Sequence, residues 1–251
     1  MTGIIYDLKE MAVHDGPGIR TTVFFKGCPM RCRWCHNPEG LISKPQLMYK
    51  KVKCLNCGLC RKACDHPECA ELGRCVHVCP ENCLEIVGRE VTAKALADEL
   101  KQSAKALGDE FGGFTFSGGE PLYQYEFLLE LIEELKTYHL CMETSGFADS
   151  DVFKRAIEKL DFIIMDIKLA DDKQHKEYTG VSNSKILENY KILKNSGKPY
   201  IIRTPLIPGI TDTEENLNAI EKIIGQDDWE KLPFNAAAGA KYEMLGIKWE
   251  L

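Results

Sequence analysis

Beyond about residue 89 the chain alternates apolar runs of strand length with longer segments of helical periodicity, the pattern of repeated βα units around a parallel sheet. One such run lies upstream, at Thr21 to Phe25, and five follow: Gly113 to Phe116, His139 to Glu143, Phe162 to Ile167, Tyr200 to Thr204, and a short last one near Lys231 to Phe234. Helical patterns between them cover Thr92 to Leu107, Tyr125 to Tyr138, Ser150 to Leu160, Ser184 to Asn195 and Thr213 to Ile224, with Thr92 and Ser150 as expected N-caps. The stretch from Pro45 to Gly88 breaks this rhythm. It is dense in Cys, Lys, Asn and Pro, shows neither period, and reads as an insert held together by metal. An α/β fold follows, with one main domain, residues 1–49 and 89–251, interrupted by the insert at 50–88.

A chain of 251 residues can bury one large core. Net charge is −6 and the basic residues are dispersed, so neither a nucleic-acid groove nor an anionic membrane surface is the expected partner. The opening MTGIIYDLKEMAVHDG has acidic residues where a signal peptide needs an apolar run, and no stretch reaches about eighteen apolar residues. The sequence thus predicts a cytoplasmic protein acting on a small molecule or a protein.

Twelve cysteines change the picture. In a chain neither small nor visibly exported they suit metal ligation better than a disulfide scaffold. They are clustered: Cys28, Cys32 and Cys35, then eight between Cys54 and Cys83, with Cys141 alone as an ordinary buried thiol. The first group, in GCPMRCRWCHNPEG, has C-x3-C-x2-C spacing directly after the first strand. Three ligands is the informative count, because structural zinc and electron-transfer clusters close with four, whereas a missing ligand leaves a position for an outside molecule. Three structural or zinc-bound cysteines are the alternative.

Cys28, Cys32 and Cys35, with Trp34 before the last of them, resemble the defining loop of the radical S-adenosylmethionine superfamily. The resemblance implies a 4Fe–4S cluster whose open iron takes the amino and carboxylate groups of S-adenosylmethionine and reductively cleaves it to methionine and a 5'-deoxyadenosyl radical. Such a cosubstrate needs close backbone approach and a carboxylate for its ammonium group. FSGGEP offers both through Ser117, Gly118, Gly119 and Glu120 at the end of the second strand, where barrels gather their functional loops. A plain glycine turn is the other reading of Gly-Gly. Glu143, Thr144, Ser145 and Gly146, then Asp166 and Lys168, are polar groups at later strand ends where a core would want none. Helix caps or a solvated rim would account for each singly. Together with Arg203 in IRTPLIPG they resemble the cosubstrate-binding strands of activating enzymes.

The longer string HDGPGIRTTVFFKGCPMRCRWCHNP resembles the glycyl radical enzyme activating enzymes, typified by pyruvate formate-lyase activating enzyme. Asp15, Gly16, Pro17, Gly18 and Arg20 match that signature, and the resemblance implies that Asp15 binds the partner's glycine loop. A tight turn is the other reading of Asp-Gly-Pro-Gly. The resemblance further implies a monovalent cation at Glu143, Thr144 and Asp166, with Lys168 on the cosubstrate carboxylate. Glu143 departs from the aspartate common there, and Asn235 stands where a histidine is typical.

Within the insert, Cys54, Cys57, Cys60 and Cys64 have C-x2-C-x2-C-x3-C ferredoxin spacing, while Cys69, Cys75, Cys79 and Cys83 are irregular. Eight cysteines predict two auxiliary 4Fe–4S clusters, three clusters in all. Ferredoxin interlocking would join Cys54, Cys57 and Cys60 with Cys79, leaving Cys64, Cys69, Cys75 and Cys83 for the second. Relaying electrons, docking the partner and stabilising the loop are all open as its role.

The expected architecture is therefore a partial (β/α)6 TIM-type barrel with a ferredoxin-like insert. The expected activity is abstraction of a glycine α-hydrogen from a glycyl radical enzyme, with a flavodoxin- or ferredoxin-type reductant, by a chain that is monomeric when free. A radical enzyme acting on a small molecule or peptide, and a non-catalytic multi-cluster electron carrier, are the alternatives.

Overall fold

The computed structural model describes residues 1–69 and 72–251, the side chain of Asp109 excepted; residues 70 and 71 of the predicted insert lie outside it. In chain order the elements are β1 (Thr2–Ala12), β2 (Ile19–Phe25), β3 (Gln46–Tyr49), β4 (Leu84–Val87), β5 (Arg89–Thr92) and α1 (Ala93–Leu107). There follow β6 (Phe111–Gly118), α2 (Tyr125–Glu134), β7 (Leu140–Thr144), α3 (Ser150–Ile157), β8 (Phe162–Asp166) and α4 (Asp172–Thr179). The chain ends with α5 (Ser184–Lys194), β9 (Tyr200–Leu206), α6 (Glu214–Ile224), β10 (Trp229–Pro233) and α7 (Ala238–Leu245).

The main sheet has the order β10-β9-β8-β7-β6-β2-β1-β5. Its six strands from β2 to β10 are parallel and lie in their order along the chain, the winding of a partial (β/α)6 barrel. These are the six strands that the apolar runs predict. β1 and β5 are additions, paired antiparallel beyond β2, and β3 pairs with β4 in a separate two-stranded ladder at the base of the insert. Thr92 caps α1 as expected, its hydroxyl accepting from the Ala95 N–H at 3.1 Å. The cap of α3 is Asp149, one residue before the expected Ser150, which already has helical backbone. No helix among the described residues is long and apolar enough to cross a membrane.

Alternation along the strands separates two faces. Val23, Phe25, Phe114, Phe116, Met142, Ile163 and Ile202 point outward into one core with Leu96, Phe127, Leu131, Phe153 and Ile220 of the helix layer. The residues between them, Arg20, Thr22, Thr115, Ser117, Glu143, Asp166 and Arg203, face inward, so the barrel interior is polar. A polar interior needs internal partners, and Arg20 illustrates how they are supplied. Fully buried, it donates to the carbonyls of Phe114 (2.6 Å), Pro17 (2.8 Å), Gly112 (2.9 Å) and His139 (3.1 Å) and to the Thr115 hydroxyl (2.7 Å). Thr115 in turn donates to the Asp15 carbonyl at 2.6 Å. The Asp-Gly-Pro-Gly turn is thereby pinned against β6, with Gly16 at φ +124° and Gly18 at φ +75°.

Replacing Arg20 by Met would take a donor from the carbonyls of Phe114, Pro17 and Gly112, while His139 keeps the Phe114 N–H. We expect a loss of about 3 kcal/mol, read as a lower denaturant midpoint at unchanged slope. Arg20→Lys should not restore it, since an ammonium has three donors and no fork.

Candidate active site

The loop after β2 carries Cys28, Cys32 and Cys35, and backbone contacts hold it on both sides. The N–H groups of Arg31 and Arg33 donate to the carbonyls of Thr179 (2.7 Å) and Tyr178 (3.0 Å), and Gly27 N–H donates to Gly40 at 2.8 Å. Trp34, 5% exposed, packs on Leu169 and Ile207 and so turns away from solvent. The loop after β6 lies against the same place: Gly119 and Glu120 donate to the carbonyls of Phe25 (2.8 Å) and Gly27 (2.9 Å). A β-carbon on Gly119 would sit 2.4 Å from two carbonyl oxygens, those of Gly27 and Gly40.

Burial pushes the thiols of Cys28, Cys32 and Cys35 each up to about 12, with the Glu120 carboxylate adding to the rise at Cys28. Lys168 opposes the rise at Cys32. Its own ammonium loses hydration on burial, but the Asp166 carboxylate at 2.6 Å and the Cys32 sulfur outweigh that loss and raise its pKa. Glu120 is 1% exposed, and burial raises its pKa against four donors: the Ser145 hydroxyl (2.5 Å) and N–H (2.8 Å), the Thr144 hydroxyl (2.7 Å) and the Leu122 N–H (3.3 Å). The carboxylate expected to take an ammonium group thus also clasps the loops after β6 and β7.

Glu143 accepts from Ser117 at 2.6 Å and from Arg203 at 3.1 Å. Arg203, 6% exposed, also pairs with Glu230 at 2.6 Å and donates to the His14 carbonyl. The three residues expected around a cation are therefore engaged separately, Glu143 with Arg203, Thr144 with Glu120 and Asp166 with Lys168. Asp15 accepts from the Thr22 hydroxyl at 2.6 Å. Asn235 is exposed and accepts from the Ala237 N–H at 2.9 Å.

Near Cys35, Tyr6 Oη and Glu39 Oε2 are buried oxygens without a hydrogen-bond partner. Tyr6 projects from β1 to where Glu39, Cys35 and Glu143 raise its pKa after burial itself. Orphaned polar atoms beside three half-buried thiols fit a bound polar group, and a metal that deprotonates thiols outright fits the thiols. Sequence reasoning missed Tyr6, and the only available signal was the short alternation Ile4, Tyr6, Leu8 in a segment too polar to read as a strand.

A family model described as the Radical SAM superfamily matches residues 22–220. The chain belongs to that superfamily. Its relatives place it among the glycyl radical enzyme activating enzymes. It is 36% identical to an isethionate sulfite-lyase activating enzyme of Oleidesulfovibrio alaskensis, over 97% of this chain and 87% of that one. It is 34% identical to a 4-hydroxyphenylacetate decarboxylase activating enzyme of Clostridium scatologenes, over 99% and 88% of the two chains. The fold is shared with a radical SAM methyltransferase from Sphaerobacter thermophilus at TM-score 0.54 and 13% identity, over 96% of this chain and 66% of that one. Membership makes this radical SAM chain an enzyme of radical generation, whose family uses a 4Fe–4S cluster and S-adenosylmethionine.

In the insert, Cys54, Cys57, Cys60, Cys79 and Cys83 line one recess with Tyr49. Cys83 N–H donates to the Cys79 sulfur at 3.3 Å. Cys64, Cys69 and Cys75 form a separate group, their sulfurs within 4.8 Å of one another. The structure therefore brings Cys79 to Cys54, Cys57 and Cys60, and it puts Cys83 in that recess instead of with Cys64, Cys69 and Cys75.

Lys26, at the end of β2, is fully buried and joins the two parts, donating to the Glu39 carbonyl (2.6 Å) and the Gln46 side chain (2.9 Å). Burial lowers its pKa to about 8, against the pull of Glu39. The unfolded chain, with a lysine pKa of about 10.4, then binds more protons than the folded one between those values, so stability rises with pH across that window. The penalty is complete below about 8. Between about pH 7.5 and about pH 9.5 the protein should gain about 2 kcal/mol relative to Lys26→Met, measured as the difference in their denaturant curves.

Proposed function

We propose that this protein activates a glycyl radical enzyme by removing the α-hydrogen of one of its glycines. In this reading Cys28, Cys32 and Cys35 ligate a 4Fe–4S cluster and leave one iron to the amino and carboxylate groups of S-adenosylmethionine. When bound, the pair supplies one electron and a cleavable sulfonium, giving methionine and a 5'-deoxyadenosyl radical. The chain's own residues bind and orient. Backbone groups of Ser117, Gly118 and Gly119 approach the methionyl end, Glu120 meets its ammonium, and Lys168 meets its carboxylate.

The remaining inward polar groups, Glu143, Thr144, Asp166 and Arg203, keep that end fixed and shut out water. Trp34 shields the cluster loop, and Asp15, pinned beside β6, is the group offered to the partner's glycine loop. One auxiliary 4Fe–4S cluster is assigned to Cys54, Cys57, Cys60 and Cys79. A flavodoxin- or ferredoxin-type protein is the reductant, and the free chain is a cytoplasmic monomer.

The observation that carries this reading is a set of three half-buried thiols on one loop, beside Gly118 to Glu120, in a chain whose near full-length relatives are named as activating enzymes. The relatives' names point to a lyase and a decarboxylase, so the partner is assigned only as a glycyl radical enzyme.

The test is formation of 5'-deoxyadenosine by the anaerobically reconstituted, reduced protein supplied with S-adenosylmethionine. Cys32→Ala should bring the yield down to that of a protein-free control, and adding the partner should produce a protein-based glycyl radical in the paramagnetic resonance spectrum. Cleavage without a protein radical would favour a small-molecule or peptide substrate. No cleavage by protein with its full iron content would favour an electron carrier.

A further inference from the structure

The insert carries an exposed basic face on an acidic chain. Lys50, Lys51, Lys53, Arg61 and Lys62 lie in one segment that has no Asp or Glu, whereas the whole chain has a net charge of −6. Lys50 pairs with Glu85 at 2.6 Å, and the other four are exposed and join no salt bridge among the described residues. Apolar side chains stand in the open among them, Val52 at 93% exposure, Leu55 at 65% and Leu59 at 39%. The same segment supplies Cys54, Cys57 and Cys60 to the recess they share with Cys79, and Cys57 is itself exposed. Arg74 adds a further cation, its guanidinium 4.4 Å from the centre of the Tyr49 ring that lines the recess, where Glu81 is the acid present.

We propose that the face from Lys51 to Lys62 docks an acidic flavodoxin-type electron donor, so that electrons enter the protein through the insert, a docking that rests on the need for a reductant in the proposed function. Cations around exposed apolar groups fit a partner of the reverse kind, an apolar contact ringed by carboxylates. Bound flavin mononucleotide has that character, with an apolar ring edge and an anionic phosphate. The reduced flavin loses one electron, and the cluster assigned to Cys54, Cys57, Cys60 and Cys79 gains it. From the recess, contacts continue to the barrel loop: Lys50 N–H donates to the Cys83 carbonyl at 2.7 Å, and Lys26 joins Gln46 of β3 to the Glu39 carbonyl. The groove between α3 and α5 is the rival basic surface. Lys154, Lys191 and Lys198 line it, but so do Glu158 and Glu188, and no cysteine does.

Calorimetric titration of the anaerobically reconstituted protein with an oxidised, acidic flavodoxin tests the face. We expect Lys51→Glu, Lys53→Glu and Lys62→Glu together to weaken binding at least about tenfold, and wild-type affinity to fall as salt rises. Lys154→Glu with Lys191→Glu should leave it unchanged. The insert variant should still form 5'-deoxyadenosine at the wild-type rate with titanium(III) citrate, a small reductant that needs no docking. Wild type that binds flavodoxin through this face yet cleaves nothing with titanium(III) citrate would sink the proposed function and uphold the face. Equal affinity in the insert variant and wild type would overturn the proposal, as would a variant that loses affinity for the glycyl radical enzyme and keeps it for flavodoxin. Should the charge reversals cost the protein its iron and sulfide, Lys53→Gln with Lys62→Gln removes charge without reversing it, and should weaken binding at least about threefold.

Discussion

Gly119 lies between two carbonyl oxygens, those of Gly27 and Gly40, each 2.4 Å from where a β-carbon would stand. Its N–H and that of Glu120 donate to Phe25 and Gly27, and Gly27 donates to Gly40. Three segments distant in sequence therefore share one backbone ladder: the entry to the cysteine loop, its exit and the loop after β6. Side chains are excluded from this contact by sterics alone, so the relative placement of the three thiols and the Gly-Gly-Glu loop is set by main-chain geometry. Such a placement varies less than one carried by long side chains. Gly118, at φ +113° with Phe25 backbone 2.3 Å from its own missing β-carbon, extends the same constraint by one residue.

Inward from this ladder the barrel depends on electrostatics. Two arginines occupy the interior, and their surroundings differ. Arg20 hydrogen-bonds carbonyls and a hydroxyl but no carboxylate, and burial lowers its pKa against the weaker pull of Cys141, Asp15 and Asp161. Arg203 loses as much hydration, yet Glu143 and Glu230 raise its pKa. The first fixes a turn. The second links β7, β9 and β10 to the loop at His14, so that a change at Glu143 reaches the turn carrying Asp15.

The elements legible in the sequence are those buried on both faces or strongly amphipathic. The parallel strands β2 and β6 to β9 carry buried apolar residues on the face packed against the helices, whereas β10, of sequence WEKLP, is short and partly exposed. β1 was missed because its outer half is exposed and charged, Asp7, Lys9 and Glu10 interrupting the run, and β5 because four residues carry no period. α4, of sequence DKQHKEYT, buries only His175 and Thr179 and gives no apolar stripe. The motif residues at the strand ends were legible through their chemistry. Their partners were not: the clasp of Glu120 by Thr144 and Ser145, the orphaned Tyr6 hydroxyl and the seating of Cys83 all arise from contacts that spacing does not encode. Cys83 shows the limit most clearly. Counting made it the eighth ligand, and only the β3–β4 ladder, which brings Leu84 opposite Tyr49, carries it to the recess of Cys54.

The two cysteine regions also differ in what opposes the unpaired thiolate. On the barrel loop burial dominates, and thiols at about 12 remain protonated unless a metal displaces the proton. In the insert the causes are mixed: a hydrogen bond with Tyr49 lowers Cys54 and the Cys83 N–H lowers Cys79, while burial pushes the Cys83 thiol up to about 11. A metal bound by the barrel-loop thiols would displace their protons, so its affinity would fall as pH falls.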